Sequence, residues 1–180
     1  MKKLLIATRN PGKFAEIKNF LSDLSLEMVS LSDLKIGENI EEEGKTYAEN
    51  SAKKAIFYAK LSGLPAIADD GGIEIAALKG APGVRSRRFF GKEGREATDD
   101  EIIEAMKQIA ESLTENRIAY FRTVITLALP TGETFQVEGE VKGIIARKPL
   151  LELLKGYPYR SFFYLPQIKK YYHEAELSDK

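Results

Sequence analysis

The residues best suited to chemistry in this chain are two adjacent carboxylates, in Ala68-Asp69-Asp70-Gly71-Gly72. An apolar run, Leu64-Pro65-Ala66-Ile67-Ala68, leads into them, and a second β-like run, Gly72-Ile73-Glu74-Ile75, follows. Apolar residues running into a polar turn predict a buried strand that delivers a side chain to a cleft. Adjacent aspartates are poor core material, because unpaired buried charge is costly. They suit holding a divalent cation or steering a water. Asp and Gly are also the usual turn residues, so a solvated turn is the competing reading of this stretch.

A second constellation, Thr8-Arg9-Asn10-Pro11-Gly12-Lys13, lies between a predicted strand and a predicted helix. Free N–H groups at a helix start and the helix dipole attract anions. Gly12 allows close backbone approach. Lys13 falls in the first helical turn, where the dipole alone disfavours a cation and an anion beside it would favour one. The loop is not a Walker A loop: Ala7 stands where its first glycine belongs, and Phe14 stands where Ser or Thr is needed. An ordinary turn with a solvated lysine is the alternative. The third constellation is acidic, Glu41-Glu42-Glu43. Mg²⁺ takes one or two protein carboxylates and completes its shell with water and substrate phosphates. An acidic loop facing a strand-end Asp, near a lysine-bearing anion turn, would suit a metal-dependent phosphate enzyme; a solvated charge run is the plainer reading. The fourth is aromatic, Tyr157, Tyr159, Phe162, Phe163 and Tyr164, which could stack a base or serve a core edge.

These groups need elements to position them. Leu4-Leu5-Ile6-Ala7 reads as a buried strand, and Phe14, Ile17, Phe20 and Leu21 share one face of a helix from about Gly12 to Leu24. Leu26 to Leu31 alternates as a strand, so the chain opens as a βαβ unit with at least one parallel pair. After a long polar connection, Thr46 and Glu49 form a capping-box pattern for a helix ending near Ser62, before Gly63 and Pro65. Thr98 and Glu101 mark the start of another, over Asp99 to Ser112. Ala119 to Leu129 reads as a long strand, turned at Pro130-Thr131-Gly132-Glu133 into a hairpin partner over Thr134 to Lys142. Gly139 and Gly143 suggest a bulge or a bend, Ile144 to Ala146 a further strand, and Pro149 to Lys155 a short helical turn.

The 180 residues are 43% hydrophobic and 30% charged, which fits one globular domain with a sizeable core. Lys+Arg and Asp+Glu are equal at 27, so no basic surface for coating nucleic acid is expected. The absence of cysteine excludes disulfides, thiolate zinc sites and cysteine nucleophiles, and suggests a reducing cytoplasm. No apolar run is long enough to span a membrane. The one histidine, His173, sits in a polar tail and is expected at the surface.

Taken in order, four stretches resemble motifs of the inosine triphosphate pyrophosphatase family, house-cleaning enzymes that hydrolyse non-canonical purine nucleoside triphosphates. Ala7 to Lys13 with Glu16 resembles A-T-x-N-x-G-K-x-x-E. Glu41 to Ser51 resembles E-E-x-G-x-T-F-x-E-N-A, with Lys54 just beyond it. Ala68 to Ile73 resembles A-D-D-S-G-L, and Gly80 to Phe89 resembles G-x-P-G-x-Y-S-A-R-Y. The resemblance implies an α/β fold with a long, bent, mixed sheet flanked by helices, in a single domain over 1–180 made of two lobes with a central cleft and no separable linker. It implies a homodimer in the cytoplasm, acting on a nucleoside triphosphate and on neither nucleic acid nor membrane. It further implies Mg²⁺ held by Glu41 and Asp70, catalysis by Asp70 with Asp69 and Lys13, and a triphosphate held by Thr8, Arg9, Asn10, Pro11, Gly12 and Lys13. Water would attack the α-phosphorus, leaving a nucleoside monophosphate and pyrophosphate.

Departures gather at the base-binding end, where Gly71, Tyr157, Tyr159 and Arg160 fall among the implied substrate contacts. Against the family's G-F-G-Y-D-P-x-F this chain has Gly156-Tyr157-Pro158-Tyr159-Arg160-Ser161-Phe162-Phe163. Arg160 thus replaces an acid, and Pro158 replaces a glycine and removes an N–H. Gly71 replaces a serine. The family's S-H-R, which reads the purine 6-oxo group, has no counterpart before Lys180. Two expectations follow: a Mg²⁺-dependent pyrophosphatase with altered base preference, or a nucleotide-binding or interaction protein whose activity has decayed. Intact Lys13, Glu41, Asp69 and Asp70 favour the enzyme, since idle neighbouring carboxylates repel.

Overall fold

The chain begins with a strand whose inner end is wholly apolar, β1 (Lys2–Ile6), in which Leu5 and Ile6 are fully buried. The structure is a computed structural model and describes residues 2–91, 95–151 and 155–175. Helix α1 (Pro11–Phe20) follows, then β2 (Leu26–Ser30), α2 (Tyr47–Ser62) and β3 (Ala66–Ile75). Helix α3 (Asp99–Ser112) precedes β4 (Ile118–Ala128), β5 (Thr134–Ile145), β6 (Phe163–Leu165) and β7 (Lys170–Tyr171). The seven strands form one sheet in the order β2-β1-β3-β4-β5-β6-β7. Strand β1 runs parallel to β2 and β3, and β6 runs antiparallel to β5 and β7, so the sheet is mixed and the class is α/β.

The chain divides into two compact units, Met1–Asp70 with Thr123–Gly139, and Gly71–Arg122 with Glu140–Lys180. The first has its core among Leu5, Ala7, Val29, Leu31, Ala55 and Tyr58. Helix α2 supplies its inner stripe with Ser51, Ala55, Tyr58 and Ala59, spaced as one helical face requires. Thr46 caps it by accepting from the Glu49 N–H, and Gly63, at φ 67°, ends it in the left-handed region that glycine adopts without penalty. Helix α1 stops at Phe20, short of the expected Leu24, and buries none of its residues; Phe20 itself is 53% exposed.

The second unit packs Ile102, Ile103, Met106 and Ala110 of α3 against Ile73, Ile75, Phe162 and Phe163. Each fully buried large side chain there contributes about 1.5–3 kcal/mol of burial free energy. The capping box at Thr98 and Glu101 is complete, with both reciprocal bonds present. Strand β5 is one continuous element through Ile145, where the sequence suggested a separate strand from Ile144. At Gly143 a Cβ would come within 2.6 Å of the Tyr164 carbonyl oxygen, so glycine there serves close packing against β6. The helical turn expected over Pro149 to Lys155 falls partly outside the described residues. Strand β7 has no signal in the sequence, because two residues are too few for a period.

The largest correction concerns Asp69 and Asp70. Both lie inside one ten-residue strand, β3, and both are 8% exposed. The solvated turn is therefore excluded. A strand tolerates adjacent buried carboxylates here because its side chains alternate and each finds a different partner, one on α1 and one on α2.

Candidate active site

The site in the first unit is built from α1, α2, β3 and the acidic loop before α2. Asn10 caps α1: its Oδ1 accepts from the N–H of Gly12 at 2.9 Å and of Lys13 at 3.4 Å. Two helix-start donors expected to face an anion are thus already engaged. Thr8 Oγ1 accepts from the Asn10 N–H at 3.2 Å, which leaves its own proton to donate. Pro11 occupies the first helical position, where its missing N–H costs nothing. Arg9 donates to the carbonyls of Gly37 and Glu38 at 2.9 and 2.6 Å, so it ties down the polar connection.

The charge that this turn brings to β3 is Lys13. Its Nζ lies 2.5 Å from Asp69 Oδ2. Burial works against ionised Asp69, yet the Lys13 and Lys54 ammonium groups overcome it and hold the carboxyl below the usual range. Burial likewise works against charged Lys13, and Asp69, Asp70 and Glu42 hold its pKa above the ordinary value. Asp69 Oδ1 is buried with no hydrogen-bond partner among the described residues. An orphaned carboxylate oxygen is costly to keep.

Asp70 is tuned the other way. Burial pushes its pKa up, and neighbouring Glu42 adds to the rise, against the Asn50 hydrogen bond and the Lys54 and Lys13 charges. Asn50 Nδ2 donates to Asp70 Oδ2 at 2.9 Å, and Thr123 Oγ1 donates to the Asp70 carbonyl at 3.3 Å. Of the acidic triplet, Glu42 faces this centre: Lys54 Nζ lies 2.7 Å from its Oε1, and it acts electrostatically on Asp70 and Lys13. Glu41 is exposed, and its carbonyl accepts from Lys53 Nζ at 2.8 Å. Below the centre, Ser51 and Thr126 hydroxyls meet at 2.7 Å, and Gln136 Nε2 donates to Thr126 Oγ1 at 2.8 Å and to the Ala48 carbonyl at 2.9 Å. These bonds anchor the start of α2, which carries Asn50 and Lys54.

The structure thus brings Lys13, Asp69 and Asp70 together, and adds Asn50, Glu42 and Lys54. Among the described residues no three His, Cys, Asp or Glu side chains gather as a complete metal cage. The orphaned Asp69 oxygen and the hard oxygen donors of Asp70 and Glu42 fit a cation that takes few protein ligands, which is the habit of Mg²⁺.

The remaining expected residues belong to the second unit, Gly71 among them, which continues β3 directly after Asp70. Tyr159 is 7% exposed, and its hydroxyl donates to the Ser86 carbonyl at 2.5 Å; burial pushes its phenol pKa well up, against a smaller opposing effect of Arg87. Its place is in the core of the second unit. The Arg160 guanidinium lies over the Tyr157 ring, 3.7 Å from its centroid, and 5.2 Å from that of Tyr172. Arg87 and Asp99 fix the loop's start: Arg87 Nη1 meets Asp99 Oδ1 at 2.6 Å, Arg87 Nη2 donates to the Gly156 carbonyl at 2.8 Å, and Asp99 Oδ2 accepts from the Gly156 N–H at 2.5 Å.

The model of the Ham1 family matches residues 4–180. The chain belongs to the Ham1 family. It is 36% identical over 179 residues to a dITP/XTP pyrophosphatase of Desulforamulus reducens, covering 99% of this chain and 87% of that protein. It is 40% identical over 182 residues to a dITP/XTP pyrophosphatase of Thermus thermophilus, covering 99% and 83%. Among solved structures, a HAM1 protein from Coxiella burnetii superposes with a TM-score of 0.81 at 35% identity, covering 99% of this chain and 89% of that one. Ham1 membership agrees with the motif order read from the sequence, and with a mixed sheet in an α/β fold.

Proposed function

We propose that this protein is a nucleoside triphosphate pyrophosphatase that hydrolyses non-canonical purine nucleoside triphosphates of the dITP, XTP and ITP type. The observation that carries the reading is the buried pair of oppositely tuned carboxylates. Asp69 is held ionised against Lys13, while Asp70 is pushed toward a better proton acceptor. The names of the Desulforamulus and Thermus relatives support the substrate class. Lys13 and the Thr8 hydroxyl would hold phosphate oxygens. Asp70 would orient a water and take its proton as the new oxygen–phosphorus bond forms at the α-phosphorus. The bond to the β-phosphate oxygen breaks, its electron pair leaves with pyrophosphate, and a nucleoside monophosphate remains.

Mg²⁺ held by Asp70 and the acidic loop, through Glu41 or Glu42, would supply charge neutralisation on the phosphates. Glu42 is favoured by its place facing Asp70 and Lys13. Tyr157 and Arg160 are assigned to the base, with Tyr159 as their support. A homodimer belongs to the same reading, and Phe135 and Val137 on β5, 54% and 67% exposed, offer apolar surface for it; sedimentation tests this. No helix among the described residues is long and apolar enough to cross a membrane. Product analysis in heavy-oxygen water tests the reaction: label enters the monophosphate, and pyrophosphate is released. Orthophosphate and a nucleoside diphosphate would contradict it.

A further inference from the structure

Asn50 joins the two acidic arms of the site. It is 1% exposed, one turn into α2, and uses both ends of its amide. Nδ2 donates to Asp70 Oδ2 at 2.9 Å, and Oδ1 accepts from the Gly44 N–H at 2.7 Å. A carboxylate at one end and an N–H at the other admit only one orientation of the amide. The approach is close enough to dictate the loop residue: a Cβ on Gly44 would lie 2.6 Å from Asn50 Oδ1 and 2.9 Å from Glu49 Cβ. Gly44 is two residues from Glu42 and three from Glu41. One rigid amide therefore spans from the acidic loop to the carboxylate on β3.

We infer that Asn50 is a positioning residue that sets the spacing between Asp70 and the acidic loop, and through it the affinity of the site for Mg²⁺. The inference rests on the reading of the site as a Mg²⁺-dependent pyrophosphatase. No other residue type serves both ends at this length. Aspartate would keep the Gly44 bond and face Asp70 with a second carboxylate; leucine would keep the volume and lose both bonds. The partners of metal-binding carboxylates tune metal affinity because they fix ligand orientation.

Two variants separate the two arms. Asn50→Asp alters the Asp70 contact alone. Gly44→Ala keeps every polar group and pushes the amide away from the loop. The measurements are pyrophosphate release across Mg²⁺ concentrations, and the rise in melting temperature on adding Mg²⁺ alone, without nucleotide. Both variants are expected to raise half-saturating Mg²⁺ by about 10–100-fold, and to lose most of the Mg²⁺-induced stabilisation. At saturating Mg²⁺, Gly44→Ala recovers most of its turnover. If both variants melt lower yet keep the wild-type Mg²⁺ dependence, Asn50 is only a packing residue and the inference falls. Should Asn50→Asp fail to fold, Gly44→Ala decides alone. A wild-type protein that releases no pyrophosphate with Mg²⁺ overturns the functional reading itself, and the inference with it.

Discussion

The charge centre of the first unit and the aromatic loop of the second are both buried, polar and held by hydrogen bonds, yet they are built on opposite terms. In the loop the contacts close on themselves. Tyr159 donates to Ser86, Asp99 takes both Arg87 and Gly156, and Arg160 covers the Tyr157 ring. In the charge centre the balance is left incomplete. Asp69 keeps an orphaned oxygen, and Asp70 is buried beside Glu42, which repels it. Architecture explains the first arrangement. The second costs stability that a bound cation or phosphate would return.

That contrast can be broken at its charged end first. Lys13→Met leaves Asp69 buried without its closest counter-charge, so stability should fall by about 1–3 kcal/mol, and pyrophosphate release should collapse. The double variant Lys13→Met with Asp69→Asn should regain most of the melting temperature and none of the activity. Equal activity in wild type and Lys13→Met would remove the lysine from the phosphate site. At the other end, Tyr159→Phe takes the donor from the Ser86 carbonyl. Denaturation should show a loss of about 1–3 kcal/mol, with half-saturating Mg²⁺ and turnover unchanged.

Arg160→Asp sharpens the comparison further. It removes the guanidinium from the Tyr157 face, a contact of about 0.5–2 kcal/mol. KM values across purine triphosphates should change, while Mg²⁺ dependence stays as in the wild type. No change in base preference would remove the loop from base recognition.

The smallest effect lies in pH. Asp69 has a lowered folded pKa, so it adds stability above the ordinary carboxylate range and loses it as pH falls through its folded value. Asp70 has a raised folded pKa, so its contribution is full below that range and is lost as pH rises through its folded value. Carbon-detected titration without Mg²⁺ should therefore find Asp70 titrating above Asp69. Asn50→Ala should raise Asp70 further, because a bond favouring its ionised form is gone. The reverse order would undo the assignment of roles.

The sequence was most informative where local chemistry decides structure. The caps at Thr46, Thr98 and Gly63, and with them the bounds of α2 and α3, were legible because each depends on neighbours in the chain. The motifs also marked Lys13, Asp69 and Asp70. The rest depended on tertiary partners. Around Asp69-Asp70-Gly71-Gly72 a solvated turn stayed open beside the buried-strand reading, since composition does not show that Lys13 and Asn50 wait on two different helices. Asn50 carried one usable signal: it adjoins the Ser51, Ala55, Tyr58 and Ala59 stripe, where a buried amide requires partners. The helix-start N–H groups seemed open to an anion because the engagement of Asn10 Oδ1 is a matter of rotamer. Tyr159 looked like a stacking platform because an aromatic residue carries no mark of which way it faces.

The most direct test compares pyrophosphate release by wild type and Asp70→Asn from a panel of purine triphosphates with Mg²⁺, with a melting curve for each protein. The account predicts release from dITP, XTP or ITP by the wild type, and a turnover about 10²–10⁴-fold lower in Asp70→Asn at an undiminished melting temperature, since the variant removes a buried charge. Undiminished release by Asp70→Asn would contradict the role given to that carboxylate.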